Sequence, residues 1–164
     1  MAWEPTAQVF DFTQTVANLL EYISDNGSDA IDWASGDTSL PGFAKLYPNA
    51  PGRLIQEFPA LVVLSQDFET DLTGDVLTAG LRLKFESFVS GPNLDDLVLT
   101  AKKYAMALES MLANIPSDTL GAGTFASLFE IGTALDVSGQ FQQGNSWLAI
   151  FQTTCVYRVN TAAY

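Results

Sequence analysis

Two cations on alternate positions of one short stretch, Arg82 and Lys84 in "LRLKFESF" (residues 81–88), are the residues most able to do chemistry here. They are drawn from only seven cations, against nineteen acids and no histidine, in a chain of 164 residues with net charge -12. Three uses are open: an anionic ligand, a catalytic site, or the acidic surface of another copy of the chain. A plainly solvated face is the fourth. Catalysis lacks companions. Without histidine there is no Ser–His or Cys–His nucleophile pair and no histidine metal site. Neither a G-x-S-x-G elbow nor a P-loop is present.

The acids offer little more. "DFETDLTGD" (67–75) gathers Asp67, Glu69, Asp71 and Asp75, and alternate acids suggest calcium. Yet the sixth position of that loop is not glycine and the twelfth is Thr78 in place of glutamate, so a solvated hairpin tip is the better reading. Asp95 and Asp96 are neighbours on a helix, diverge by about 100°, and suit a helix start. "GAGTFA" (121–126) spells a dinucleotide-type glycine pattern but precedes a strand and opens no helix, so it reads as a turn. Cys155, the single cysteine, sits in the strand-like "FQTTCVYRV" and reads as a buried packing residue. No active site assembles from these groups. The chain is expected to be no enzyme and to hold no cofactor or metal.

The totals fit one domain over residues 1–164. Hydrophobic residues make up 48% and charged ones 16%, which argues against disorder. A mean hydropathy of +0.16 is high for a small soluble monomer and implies apolar surface hidden by a partner or by further copies. The acidic balance opposes binding to phosphate backbones or anionic membranes. The longest apolar run, "ALVVL" (60–64), is too short to span a bilayer. No secretion signal is legible at the start, and a lone cysteine fits a reducing compartment.

The elements that must position these groups follow from periodicity. Val9, Phe12, Val16, Leu19, Leu20 and Ile23 make one apolar helical face over 9–23, and "SDNG" is expected to end it with Gly27 past the end. A long irregular segment, about 25–57, follows, rich in Gly and Pro and carrying Trp33, Phe43 and Tyr47. Residues 58–69 read as a nearly continuous apolar strand and 71–75 as a turn. Residues 76–89 form an alternating strand, with Leu81, Leu83 and Phe85 on one face and Arg82, Lys84 and Glu86 on the other. "SGPNLDDL" opens a second helix, with Asn93 as cap and Asp95 and Asp96 in the first turn; Pro116 stops it. Residues 125–137 and 146–159 read as two more strands joined through "QQGN".

The expected fold is α+β: a four-stranded, mainly antiparallel sheet with two helices on one face, in α-β-β-α-β-β order. One strand does not balance. The last is apolar on both faces, with Trp147, Phe151, Cys155 and Tyr157 on one side and Leu148, Ile150 and Val156 on the other. The 25–57 segment or another subunit must cover the second face. Arg82, Lys84, Trp33, Phe43, Tyr47, Leu148 and Ile150 are therefore the candidate intersubunit or partner-facing residues. A reading of another class has Trp33, Trp147 and Phe151 lining a pocket for a small apolar ligand.

An amphipathic first helix, a long loop, the "FPALVV" strand and the alternating strand come first. "SGPNLDDL" then leads into a long helix, and two strands ending in "IFQTTCVYRV" complete the order. This layout resembles the tail terminator (tail completion) proteins of long-tailed bacteriophages over about residues 8–159. The long loop departs from the smaller members. The resemblance implies a virion structural protein, assembled in the host cytoplasm, that forms a homo-hexameric ring at the head-proximal end of the tail. That ring would stop polymerisation of the tail tube protein and meet the head connector or other neck proteins. DNA would pass through the lumen without specific binding, and no membrane is involved. A head-closure or tail-tube subunit is the neighbouring role.

Overall fold

The computed structural model describes residues 12–36, 39–52, 54–73, 76–120, 124–135, 141–143 and 145–161. The elements are α1 (Phe12–Ser35), β1 (Lys45–Tyr47), β2 (Ala60–Thr73), β3 (Val76–Gly91), α2 (Leu94–Ala113), β4 (Thr124–Leu135), β5 (Phe141–Gln143) and β6 (Ser146–Thr161). The α+β class is as expected, but among the described residues the sheet has six strands where four were expected. Its order is β1-β2-β3-β6-β4, with β5 paired to β6. The four long strands are antiparallel neighbours, and β1 is parallel to β2. Both extra strands span three residues, too few to show a period of two.

The first helix corrects the expected boundary. It passes through Gly27 and ends at Ser35, so the first part of the supposed 25–57 loop is helical. Glycine inside a helix costs about 1 kcal/mol relative to alanine, but this half-helix has tertiary support. Ile31, two turns beyond Ile23, is fully buried. The 39–44 segment lies against it: a Cβ on Gly42 would stand 3.3 Å from the Ser28 nitrogen and hydroxyl. The actual stop is Gly36, with φ +64, whose N–H donates to the Asp32 carbonyl at 2.9 Å. A Cβ on Gly27 would meet only the Phe43 nitrogen, at 3.9 Å, an ordinary contact. Gly27→Ala is therefore expected to stabilise the fold by roughly 0.5–1 kcal/mol, read as a higher thermal midpoint; a lower midpoint would show closer packing at this crossing.

The second helix follows its sequence signals. The Asn93 side chain accepts from the Asp95 N–H at 3.0 Å, and Asp95 and Asp96 lie in the first turn. Leu97, Ala101, Ala105, Leu108, Met111 and Leu112 are buried. Carbonyls at and beyond its C-terminus find partners from afar. Tyr157 Oη donates to the Leu112 carbonyl at 2.6 Å, Tyr22 Oη to that of Asn114 at 3.3 Å, and Thr15 Oγ1 to that of Leu120 at 3.2 Å.

The core lies between the two helices and one sheet face. There β3 places Leu81, Leu83 and Phe85 at 0% exposure, and β6 places Phe151, Cys155 and Tyr157 at 1% or less. β2 extends to Thr73 and pairs with β3 as far as Thr73–Val76, so residues 71–73 of the expected turn are strand; residues 74 and 75 lie outside the described residues. β2 also carries an irregularity between Val63 and Ser65. That extra residue inverts the parity of the strand. Gln66 then pairs with inward Leu83, and Asp67 with outward Arg82. Phe68 packs against the core.

Candidate assembly surface on the outer sheet face

Because both helices occupy one side of the sheet, the even positions of β3 and β6 form an outer face. Cross-strand register builds it row by row. Asp67, Arg82, Val156 and Glu130 form one row, and Ser65, Lys84, Thr154 and Gly132 the next. In the third row, Val62, Glu86, Gln152 and Ala134 align, and beyond it Ala60, Phe88 and Ile150. Arg82 is exposed and Lys84 half-buried. Arg82 thus stands opposite Asp67 on the neighbouring strand, the arrangement in which unlike charges favour pairing.

At one end of this face the chain covers itself. Residues 50–52 and 54–58 cross over it and leave an apolar groove of ≈ 320 Å³, walled by Leu54, Ile55 and Phe58 against Val62, Leu64, Phe88 and Leu148, with Glu86 at its side. This cover buries Val62 to 2%, although Val62 points away from the helices. Part of the expected long loop therefore meets the second face of the last strand, but only near Leu148. The Val156 end has Arg82, Asp67, Phe68 and Glu69 beside it and no such cover among the described residues.

The seven candidate residues divide. Arg82, Lys84, Leu148 and Ile150 share the outer face, and Tyr47 joins them at its edge through its register with Val62. Trp33 lies elsewhere, 65% exposed on α1 beside Tyr22, Met111 and Asn114. Phe43 is half-buried against Tyr104, ring centroids 5.6 Å apart, where Tyr104 Oη donates to the Pro41 carbonyl at 2.6 Å. That pair holds the loop on α2. Burial pushes the Tyr104 hydroxyl up to about 12.

The ligand pocket expected from Trp33, Trp147 and Phe151 does not converge. Phe151 is in the core, Trp33 is on the helical side, and Trp147 lines a cleft with Leu54, Phe58 and Leu148. The groove walls Leu54, Ile55 and Phe58 were missed by sequence reasoning; their only local signal was apolar residues amid Gly and Pro. Asp67 and Glu69 lie within a strand, not at a hairpin tip. No group of three or more metal-ligating side chains forms among the described residues. No helix there is long and apolar enough to cross a membrane.

The sequence matches no family model and no curated protein. Among solved structures, it is similar to a chain from the virion of a native gene transfer agent (GTA) particle, with TM-score 0.48 and 12% identity over 88% of this chain and 92% of that chain. A likeness that loose transfers no role.

Proposed function

We propose that this chain is a structural virion subunit that closes into a ring, of six copies by analogy with tail terminators, at the head-proximal end of a phage tail tube. The ring stops tube growth and joins the tail to the head connector. The observation that carries this reading is the outer sheet face. Among the described residues it has no helix layer, it keeps Ile150 and Val156 only half-buried, and it holds Arg82 and Lys84 on a chain of net charge -12. A neighbouring subunit or the tube protein completes the cover. Like-charged copies must meet somewhere, and cations on the meeting face offset repulsion and set orientation more than affinity. An acidic ring wall lets DNA pass without holding it.

Light scattering at high concentration, with negative-stain imaging, tests the ring; a strict monomer that is also absent from assembled tails overturns it. The double variant Arg82→Glu with Lys84→Glu tests the face. It loses the cross-strand partner of Asp67, a change of about 0.2–1 kcal/mol, and is expected to keep its circular dichroism. Assembly should need roughly tenfold more protein, equivalent to about 1.4 kcal/mol, and more at low salt where repulsion is less screened. Normal assembly at low salt would return both residues to a solvated face.

A further inference from the structure

The two edges of the sheet are treated differently. At one edge, β1 lies parallel on Ala60–Val62 of β2, bringing Lys45 and, just beyond, Pro48. Lysine and proline are residues that blunt an edge against further pairing, and here they do so over the first three residues of β2; residues 63–73 have no strand on that side among the described residues. At the other edge, β4 offers twelve residues, "TFASLFEIGTAL", hydrogen-bonded to β6 on one side, with no strand on its other side among the described residues. It has no proline, lysine or arginine and a single carboxylate, Glu130. Its irregularity lies between Leu128 and Glu130, which leaves Glu130–Leu135 in unbroken register. The helices cover it incompletely: Leu128 and Ile131 face the core yet stay half-buried. A long, apolar, nearly uncharged edge is a template for another strand.

We propose that the β4 edge is the surface on which a second copy of this chain adds, through main-chain hydrogen bonds that extend the sheet between subunits. This rests on the ring reading above and names the contact that would build it: a ring needs a second, different edge on the neighbouring copy, and the part of β2 that β1 leaves unpaired, residues 65–73, supplies it. Charge selects the occupant. Copies of net charge -12 repel over most of their surface, and an edge with one acid in twelve residues lets them approach with little repulsion. Strand addition depends on backbone groups more than on side chains, so it needs no further charged contacts. It also shields the half-buried Leu128 and Ile131.

Hydrogen exchange of the full chain, measured by mass spectrometry below and above the assembly concentration, tests this. The expected result is at least a tenfold slowing in β4 peptides on assembly, while those of β3, already paired on both sides, stay unchanged. Rings that form with β4 exchange unaltered would overturn the edge contact and leave the ring reading standing. Slowing that appears only when a different tail component is added would assign the edge to that partner and likewise overturn the proposal. A chain monomeric under every condition, including on tails, would remove both. A second measurement guards against a face effect: a photo-crosslinker at the exposed Ser127 should capture another copy of the chain, and capture of none in intact rings counts against the proposal.

Discussion

Phe85→Ala is expected to cost about 3–5 kcal/mol, the range for removing a buried aromatic side chain, out of the roughly 5–15 kcal/mol that holds a typical domain together. Phe85 is fully buried, midway along the central strand β3, with Val63 and Thr153 as register partners and the helices above it. Neither the sheet nor the helix layer can collapse easily into the space, because neighbouring strands fix its walls on both sides. Urea denaturation should show a lower midpoint with an unchanged slope. Leu99→Ala is the control: Leu99 is 57% exposed on α2 and its loss should stay within about 0.5 kcal/mol. Equal effects from the two changes would mean that the helices do not sit on this face of the sheet.

A fall in stability confined to alkaline pH is the second large effect expected. Burial pushes the Cys155 thiol from 9.0 up to about 12, and the Tyr104 hydroxyl from 10.0 up to about 12. The Tyr157 hydroxyl is raised too, first by burial and then by the nearness of Cys155 and Tyr22. In the unfolded chain these groups lose their protons at lower pH than in the folded one. The unfolded state then binds fewer protons, so stability falls with rising pH. The stabilisation is intact below about pH 9 and is lost progressively towards pH 12, with Cys155 alone contributing on the order of 4 kcal/mol at full effect. Thermal midpoints at constant ionic strength should be insensitive to these groups near neutrality and drop above pH 9. Cys155→Val should make the drop shallower. A thiol reagent should reach Cys155 only on unfolding; rapid labelling of the native protein at pH 8 would contradict its burial.

Much of this architecture was legible wherever local spacing and tertiary demand agree. The alternation of residues 81–89 placed the leucines inward and Arg82 and Lys84 outward, because a strand's side chains alternate whatever lies beside it. Asn93, the two aspartates after it and Pro116 framed α2 through backbone groups that need local partners. The surroundings of Cys155 marked it as buried for the same reason of parity. Even the imbalance of the last strand was visible, since Leu148, Ile150 and Val156 have no cover in a two-layer fold.

Other features were decided only by contacts distant in sequence. Gly27 looked like a helix end because glycine is a poor helix former. The helix continues because Ile31 and the 39–44 segment supply packing that outweighs a cost of about 1 kcal/mol. In β2 the extra residue at Leu64 shifted the parity, so a run with no readable alternation sends Asp67 to meet Arg82 and Phe68 to the core. The cover over Val62 and Leu148 comes from Ala50, Pro51, Leu54, Ile55 and Phe58, whose spacing carries no period at all. The candidate partner-facing residues separated likewise. Arg82, Lys84, Tyr47, Leu148 and Ile150 share a face through strand register, whereas Phe43 was taken up by Tyr104 and Trp33 by the far side of a helix. Sequence by itself determined which side of each regular element is apolar, since that depends on backbone periodicity alone. Which of those sides meet, and which edge and face remain open, depended on the order of strands in the sheet, a property of long-range pairing that no local pattern encodes.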